Sequence, residues 1–236
     1  MIWLVAVAMA GTVDDGAERL AAGDVPGALA AFQEQANQGP ASAALAYDLG
    51  NTWYQSGDPA RAIAWWRLSR MLAPRDTDAA HNLAWVRGEL HLPPAVRSPV
   101  GWTEFVTPGE LGLPAWLLLT AGAAGAVVAR ARRSQGATVL PWAAVAGMGL
   151  LGTSIAVYGE NRVTSCPIGV VVDDAAQVRT TPSTEAAESF SLPVGAEVQV
   201  EAERAGFLRI ACGDGRRGWV PNGALLVVSP AANPLG

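Results

Sequence analysis

The side chains able to do covalent, acid–base or metal chemistry are few in this 236-residue chain, and their spacing keeps them apart. His81 and His91 are its two histidines, and neither has a cysteine or carboxylate partner at metal-ligand spacing. Cysteine occurs twice, as Cys166 and Cys212, and Cys212 has no histidine near it to act as its base. The adjacent carboxylates Asp173 and Asp174 lie between short strand-like runs without a metal-like set, while Glu18, Asp48 and Asp58 read as solvated helix faces and caps. These patterns predict no catalytic residue, no metal and no cofactor, and so a protein that is not an enzyme. A net charge of −5, with arginine as the sole basic residue besides histidine and no basic stripe, speaks against nucleic-acid binding. What remains is the chemistry of binding. Tyr47, Asn51 and Tyr54, followed by His81 and Trp85, place aromatic and hydrogen-bonding groups at helical spacing. Arg179, Phe207 and Trp219 form a second such group in a strand-rich region.

The first group needs helices to carry it, and the sequence writes them twice. Gly23 and Gly57, Asp24 and Asp58, Ala28 and Ala62, Phe32 and Trp66, and Pro40 and Pro74 are each 34 residues apart. That period belongs to stacked helix–turn–helix units. Asp58 caps a helix whose first residue is Pro59, where the missing N–H costs nothing. Ala62 is small where two helices approach, Trp66 plugs the pair, and Pro74 ends the second helix. In "AALAYDLGNTWYQSG", Leu49 and Trp53 lie four apart on the buried face, with Gly50 where a neighbouring helix comes near. Leu83 lies 34 residues after Leu49 and starts a third unit without a second helix, which predicts a capping helix. Trp65 points away from the pair, toward a neighbouring segment or a membrane.

Residues 13–90 resemble the tetratricopeptide repeat family on these positions, the second unit most closely through Leu49, Gly50, Gly57, Ala62, Trp66 and Pro74. The resemblance implies a domain over residues 11–92 whose first helices line a concave groove for a partner peptide. Tyr47, Asn51, Tyr54, His81 and Trp85 then face that groove, or else form an ordinary wet helix face.

Two apolar runs follow a linker at residues 93–110. Residues 111–129 and 137–158 carry no charge and are long enough to cross a bilayer as helices. Between them lie Arg130, Arg132 and Arg133, each costing roughly 2.5–3.5 kcal/mol at the centre of a span. The chain is expected to turn in water at residues 130–136, forming a transmembrane hairpin with Trp116, Trp142 and Tyr158 near the span ends. The rival reading is a helical pair inside a globular core. Gly122, Gly125, Gly147, Gly149 and Gly152 let the two helices pack closely. The arginines put the loop in the cytoplasm and both flanking domains outside the cytoplasmic membrane. Residues 1–10 fit that topology as an export signal with a small-x-small site at Ala8-Met9-Ala10, or they are a buried first helix. In an oxidising compartment Cys166 and Cys212 form either a disulfide or a free thiol and a core residue.

From residue 165 the rhythm changes to two. Val198, Val200 and Ala202 alternate with Glu197, Gln199 and Glu201, and Leu208 and Ile210 flank Arg209. Asp214-Gly215 marks a hairpin turn before a strand with Trp219 and Val220. Five or so short strands predict a small all-β barrel over residues 165–228, followed by a tail at 229–236. The pieces "QVRTTPS", "LPVGAEVQV", "GFLRI" and "GRRGWVPNGALL" resemble bacterial SH3 domains, with Phe207 standing where the family commonly has Trp. The resemblance implies peptide or cell-wall binding. Arg179, Phe207 and Trp219 then line a surface, or Phe207 and Trp219 are core.

The whole order, a multidomain chain of tetratricopeptide hairpins, transmembrane hairpin and SH3-like module, resembles the TPR–SH3 proteins of bacterial aerotolerance (Bat) operons. The carrying residues are "YDLGNTWYQSGDPARAIAWW", "DAAHNLAWVR", "TPGELGL" and "VRTTPS…GRRGWV". That resemblance implies a scaffold in the inner membrane, facing the periplasm, beside von Willebrand A-domain membrane proteins and a MoxR-type ATPase. The alternative expectation is a tether that grips peptidoglycan and positions a wall enzyme.

Overall fold

A computed structural model of the chain describes residues 15–96, 106, 108–132, 138–165, 167–172, 175–230 and 233–234. The expected export signal, Cys166, Arg133, Asp173 and Asp174 lie outside the described residues. Two compact units are present, one from the residues up to Ser98 and from Thr164 onward, the other from Pro99–Val163.

The first unit opens with helices: α1, described over residues 15–21, α2 (Val25–Asn37), α3 (Ala43–Gln55), α4 (Pro59–Leu72) and α5 (Thr77–Glu89). The 34-residue echo is visible as repeated helix starts. Asp24 Oδ1 accepts from the Gly27 amide at 3.0 Å and Asp58 Oδ1 from the Arg61 amide at 2.9 Å. Both acceptors satisfy first-turn N–H groups that have no partner inside the helix. The glycine before each cap has a φ of 81° or 88°, a left-handed turn that a side chain would strain. Phe32 and Trp66 are both buried at equivalent places. A Cβ on Gly50 would stand 2.4 Å from the Trp66 ring, so the indole plug requires glycine there.

Helix α4 is buried on nearly all sides, at Ala60, Ala62, Ile63, Ala64, Trp65, Trp66, Leu68 and Ser69. One side packs on α3 and α5; the other meets the β-strands that return after the second unit. Trp65, 1% exposed, belongs to the same core as Val170, Leu226 and Val228 of those strands.

The strands are β1 (Ile168–Val171), β2 (Ala176–Arg179), β3 (Glu188–Leu192), β4 (Glu197–Arg204), β5 (Phe207–Cys212), β6 (Arg217–Pro221) and β7 (Leu225–Val228). They form one antiparallel sheet in the order β3-β2-β6-β5-β4-β1-β7. This overturns the expected closed barrel: the sheet is open, with β3 and β7 at opposite edges. Closure would require those two strands to pair. Instead β7 pairs with β1 and packs on α4, so a helix shields the edge region where a barrel would use a strand. β1 is buried along its whole length because it separates two cores. Val170 points into the helical core and Val171 into the sheet's own core with Val178, Val198, Leu208, Ile210 and Val220. Helix α5 buries Ala79, Leu83 and Val86 in the same helical core, while Thr77, Asp78, His81, Ala84, Trp85, Gly88 and Glu89 stay exposed.

The second unit holds α6 (Pro108–Ala131) and α7 (Leu140–Ser165). Gly122 abuts the backbone of Ala146, Gly125 the ring of Trp142, Gly149 the backbone of Leu119, and Gly152 abuts Ala115. As one index rises the other falls, which defines an antiparallel pair in close contact. Gly147, grouped with these in the sequence reading, faces open space. Within Gly109–Ala131 and Leu140–Gly159, only 11% of each most apolar stretch is buried. That exposure contradicts the rival reading of a core helical pair. The hydroxyls of Thr120, Thr153 and Ser154 donate to carbonyls three or four residues back, so they present no unmet polar group to an apolar solvent. The two helices are long and apolar enough to cross a membrane, consistent with membrane association.

Candidate protein-interaction site

Helical spacing brings the first group of candidate residues together. Tyr47, Asn51 and Tyr54 lie on successive turns of α3, and His81, Trp85 and Glu89 lie four apart on α5. Asn82 links the two helices: its Nδ2 donates to Asn51 Oδ1 at 3.1 Å and to Tyr47 Oη at 3.5 Å. Asn51 Oδ1 also accepts from Trp66 Nε1 at 3.0 Å, so the plug and the polar ladder share an acceptor. Tyr54 stacks edge-on against Trp85, with ring centres 5.4 Å apart, and lies 5.8 Å from Trp66. Its hydroxyl donates to Glu89 Oε2 at 3.2 Å. Desolvation, followed by the Glu89 contact, pushes the Tyr54 phenol above its ordinary pKa, so it stays a neutral donor. Trp85 remains 51% exposed. His81 is exposed on the same stripe of α5.

Asn82 and Glu89 were not singled out in the sequence, although Glu89 continues the four-residue step from His81 and Trp85. Asp48, expected on a solvated face, is half-buried, and that burial raises its carboxyl pKa.

The second group shares one face of the sheet. The register sets Arg179 opposite Trp219, Trp219 opposite Arg209, and Phe207 opposite Pro221. This is the face away from the core of Val178, Leu208, Ile210 and Val220. Three different environments result. Phe207 is buried, Trp219 is half-exposed, and Arg179 is engaged internally. The Arg179 guanidinium donates to the carbonyls of Thr184 and Ala186, holding the loop between β2 and β3, and lies 3.9 Å from Glu188. Trp219 is therefore the member of the group with ring surface to offer. Arg209 and Arg217 flank it, both paired at 3.2 Å with Glu201.

Cys212 is a buried free thiol, and its expected bridge to Cys166 lies outside the described residues. Burial, then the nearby Asp214, pushes the thiol up to about 11, so at neutral pH it is a protonated and unreactive group. Among the described residues no group of three histidine, cysteine, aspartate or glutamate side chains is placed to hold a metal ion.

An open antiparallel sheet with a tryptophan on its outer face is thus joined to an aromatic, amide-rich helix pair. Residues 174–225 match the bacterial SH3 domain family. No curated protein matches the chain. The match covers the sheet from just before β2 to the start of β7 and carries no statement about the helices. With an SH3-type interaction module and two membrane-length helices, the chain has the make-up of a non-catalytic, membrane-associated adaptor.

Proposed function

We propose that this adaptor works as an inner-membrane scaffold that holds an extended segment of an envelope protein between α3 and α5. The observation that carries the reading is the exposed Trp85 ring stacked on Tyr54 beside the Asn51–Asn82 ladder. An aromatic platform next to paired amide groups suits a peptide, offering apolar area and backbone hydrogen bonds together. The tetratricopeptide reading rests on the 34-residue echo and its repeated caps. The arginine-rich turn supports a cytoplasmic loop with the helices and sheet on the periplasmic side. The Bat-type complex, with von Willebrand A-domain proteins and a MoxR-type ATPase, is the setting that the order of segments suggests.

The test is affinity purification from crosslinked native membranes, comparing the parent with a Tyr54→Ala plus Trp85→Ala variant. The expected result is recovery of those proteins with the parent and at least tenfold loss with the variant. Equal recovery of every partner would remove the groove from the proposal. A second reading, a tether to peptidoglycan, draws on the half-exposed Trp219 between Arg179 and Arg209. It predicts that the full chain in detergent sediments with purified cell wall and that Trp219→Ala abolishes this; an unchanged supernatant would dispose of it.

A further inference from the structure

Asn233, beyond β7, bonds to the helices. Asn233 Oδ1 accepts from the Ala41 amide at 2.8 Å, and its Nδ2 donates to the carbonyls of Ala36 at 2.7 Å and Gly39 at 2.8 Å. Pro234, next in the chain, is buried. The three backbone groups belong to the last turn of α2 and the turn joining it to α3. One of them lacks a helical partner for a reason written in the sequence. In a continuing helix the Ala36 carbonyl would accept from the residue four ahead, and that residue is Pro40, which has no N–H. The turn thus presents one donor and two acceptors within reach of a single group. A primary carboxamide meets all three in one orientation only, carbonyl toward Ala41 and amine toward Ala36 and Gly39. A carboxylate has no proton to give, and its charge would face the negative end of α2.

We infer that the α2–α3 turn is a carboxamide-reading site, and that Asn233 occupies it as a strap holding the first helical hairpin onto the sheet-covered remainder of the unit. β7 packs on α4 and Asn233 bonds the end of α2 and the turn after it, so the two contacts tie the end of the sheet to both α4 and α2. An Asn-Pro peptide is the class of ligand that would compete for the site.

The test is amide hydrogen exchange on the full chain in detergent, comparing the parent with Asn233→Ala and Asn233→Asp. Both variants are expected to speed exchange of the Ala41 amide and the α2 amides at least tenfold, with β4 and β5 unchanged as an internal reference. Parent-like protection in both variants overturns the strap. Protection lost in Asn233→Ala but kept in Asn233→Asp overturns the carboxamide reading, because the acceptor alone would then suffice. A rise of equal size in β4 and β5 overturns the local role and makes Asn233 a general stabiliser.

Discussion

At the scale of single residues, the most consequential pair joins the helices to the sheet. Arg87 on α5 approaches Glu197 on β4 at 3.1 Å, and the Glu197 side chain is 1% exposed. The contact is off the N–H axis, and Glu197 Oε2 has no hydrogen-bond partner, so the carboxylate depends on Arg87 for compensation. Arg87 also donates to the Pro93 carbonyl. Removing one member of a buried pair costs about 3–5 kcal/mol, whereas replacing both by apolar groups is often neutral. Arg87→Met is therefore expected to lower unfolding free energy in urea by that order, with Arg87→Met plus Glu197→Met recovering most of it. A single-variant loss under about 1 kcal/mol would show that the pair is not what the interface rests on. The sequence misplaced Glu197 for a clear reason. Alternation assigns faces of a strand but assumes that the polar face meets water, as holds for Glu201, while at Glu197 that face meets α5.

Whole elements were more legible than the residues between them. Caps, plugs and stops at a fixed interval located α2 and α4, because each mark acts within one or two turns of its own helix. The glycines grouped within the apolar runs, Gly122, Gly125, Gly147, Gly149 and Gly152, were legible as a group only, since composition does not say which side of a helix faces its partner. The structure separates them. A Cβ on Gly149 would stand 2.3 Å from the Leu119 backbone nitrogen, whereas one on Gly147 meets nothing within 4 Å. Gly149→Val is expected to destabilise the α6–α7 pair by about 1–3 kcal/mol, the usual cost of overpacking. Thermal melts in detergent micelles, followed by circular dichroism, should show a lower midpoint for Gly149→Val and the parent midpoint for Gly147→Val. Equal midpoints for all three would mean that the helices do not stay in contact.

For the molecule as a whole, the strands were readable but their closure was not. A barrel and an open sheet share the same alternation and the same turns; they differ in what the last strand meets. That depends on α4, more than 150 residues before β7 in sequence, and no local pattern carries such information. Because Trp65, Val170, Leu226 and Val228 share one core, α4 and the strands β1 and β7 should open together. Native-state hydrogen exchange is expected to give the slowest amides of α4 and of β1 the same opening free energy, within about threefold in rate. Amides of β1 that stay protected long after α4 has exchanged would refute a common core. The strands packed on α4 also bear on how such a chain can change over generations. Repeat arrays ordinarily lengthen by copying a unit and stacking the copy on an end. Here one side of α4 is already taken by β1 and β7, so a copied unit could not use that side without displacing the sheet. If the proposed segment binds between α3 and α5, its specificity would then change through substitutions along those two helices and not through added units on that side.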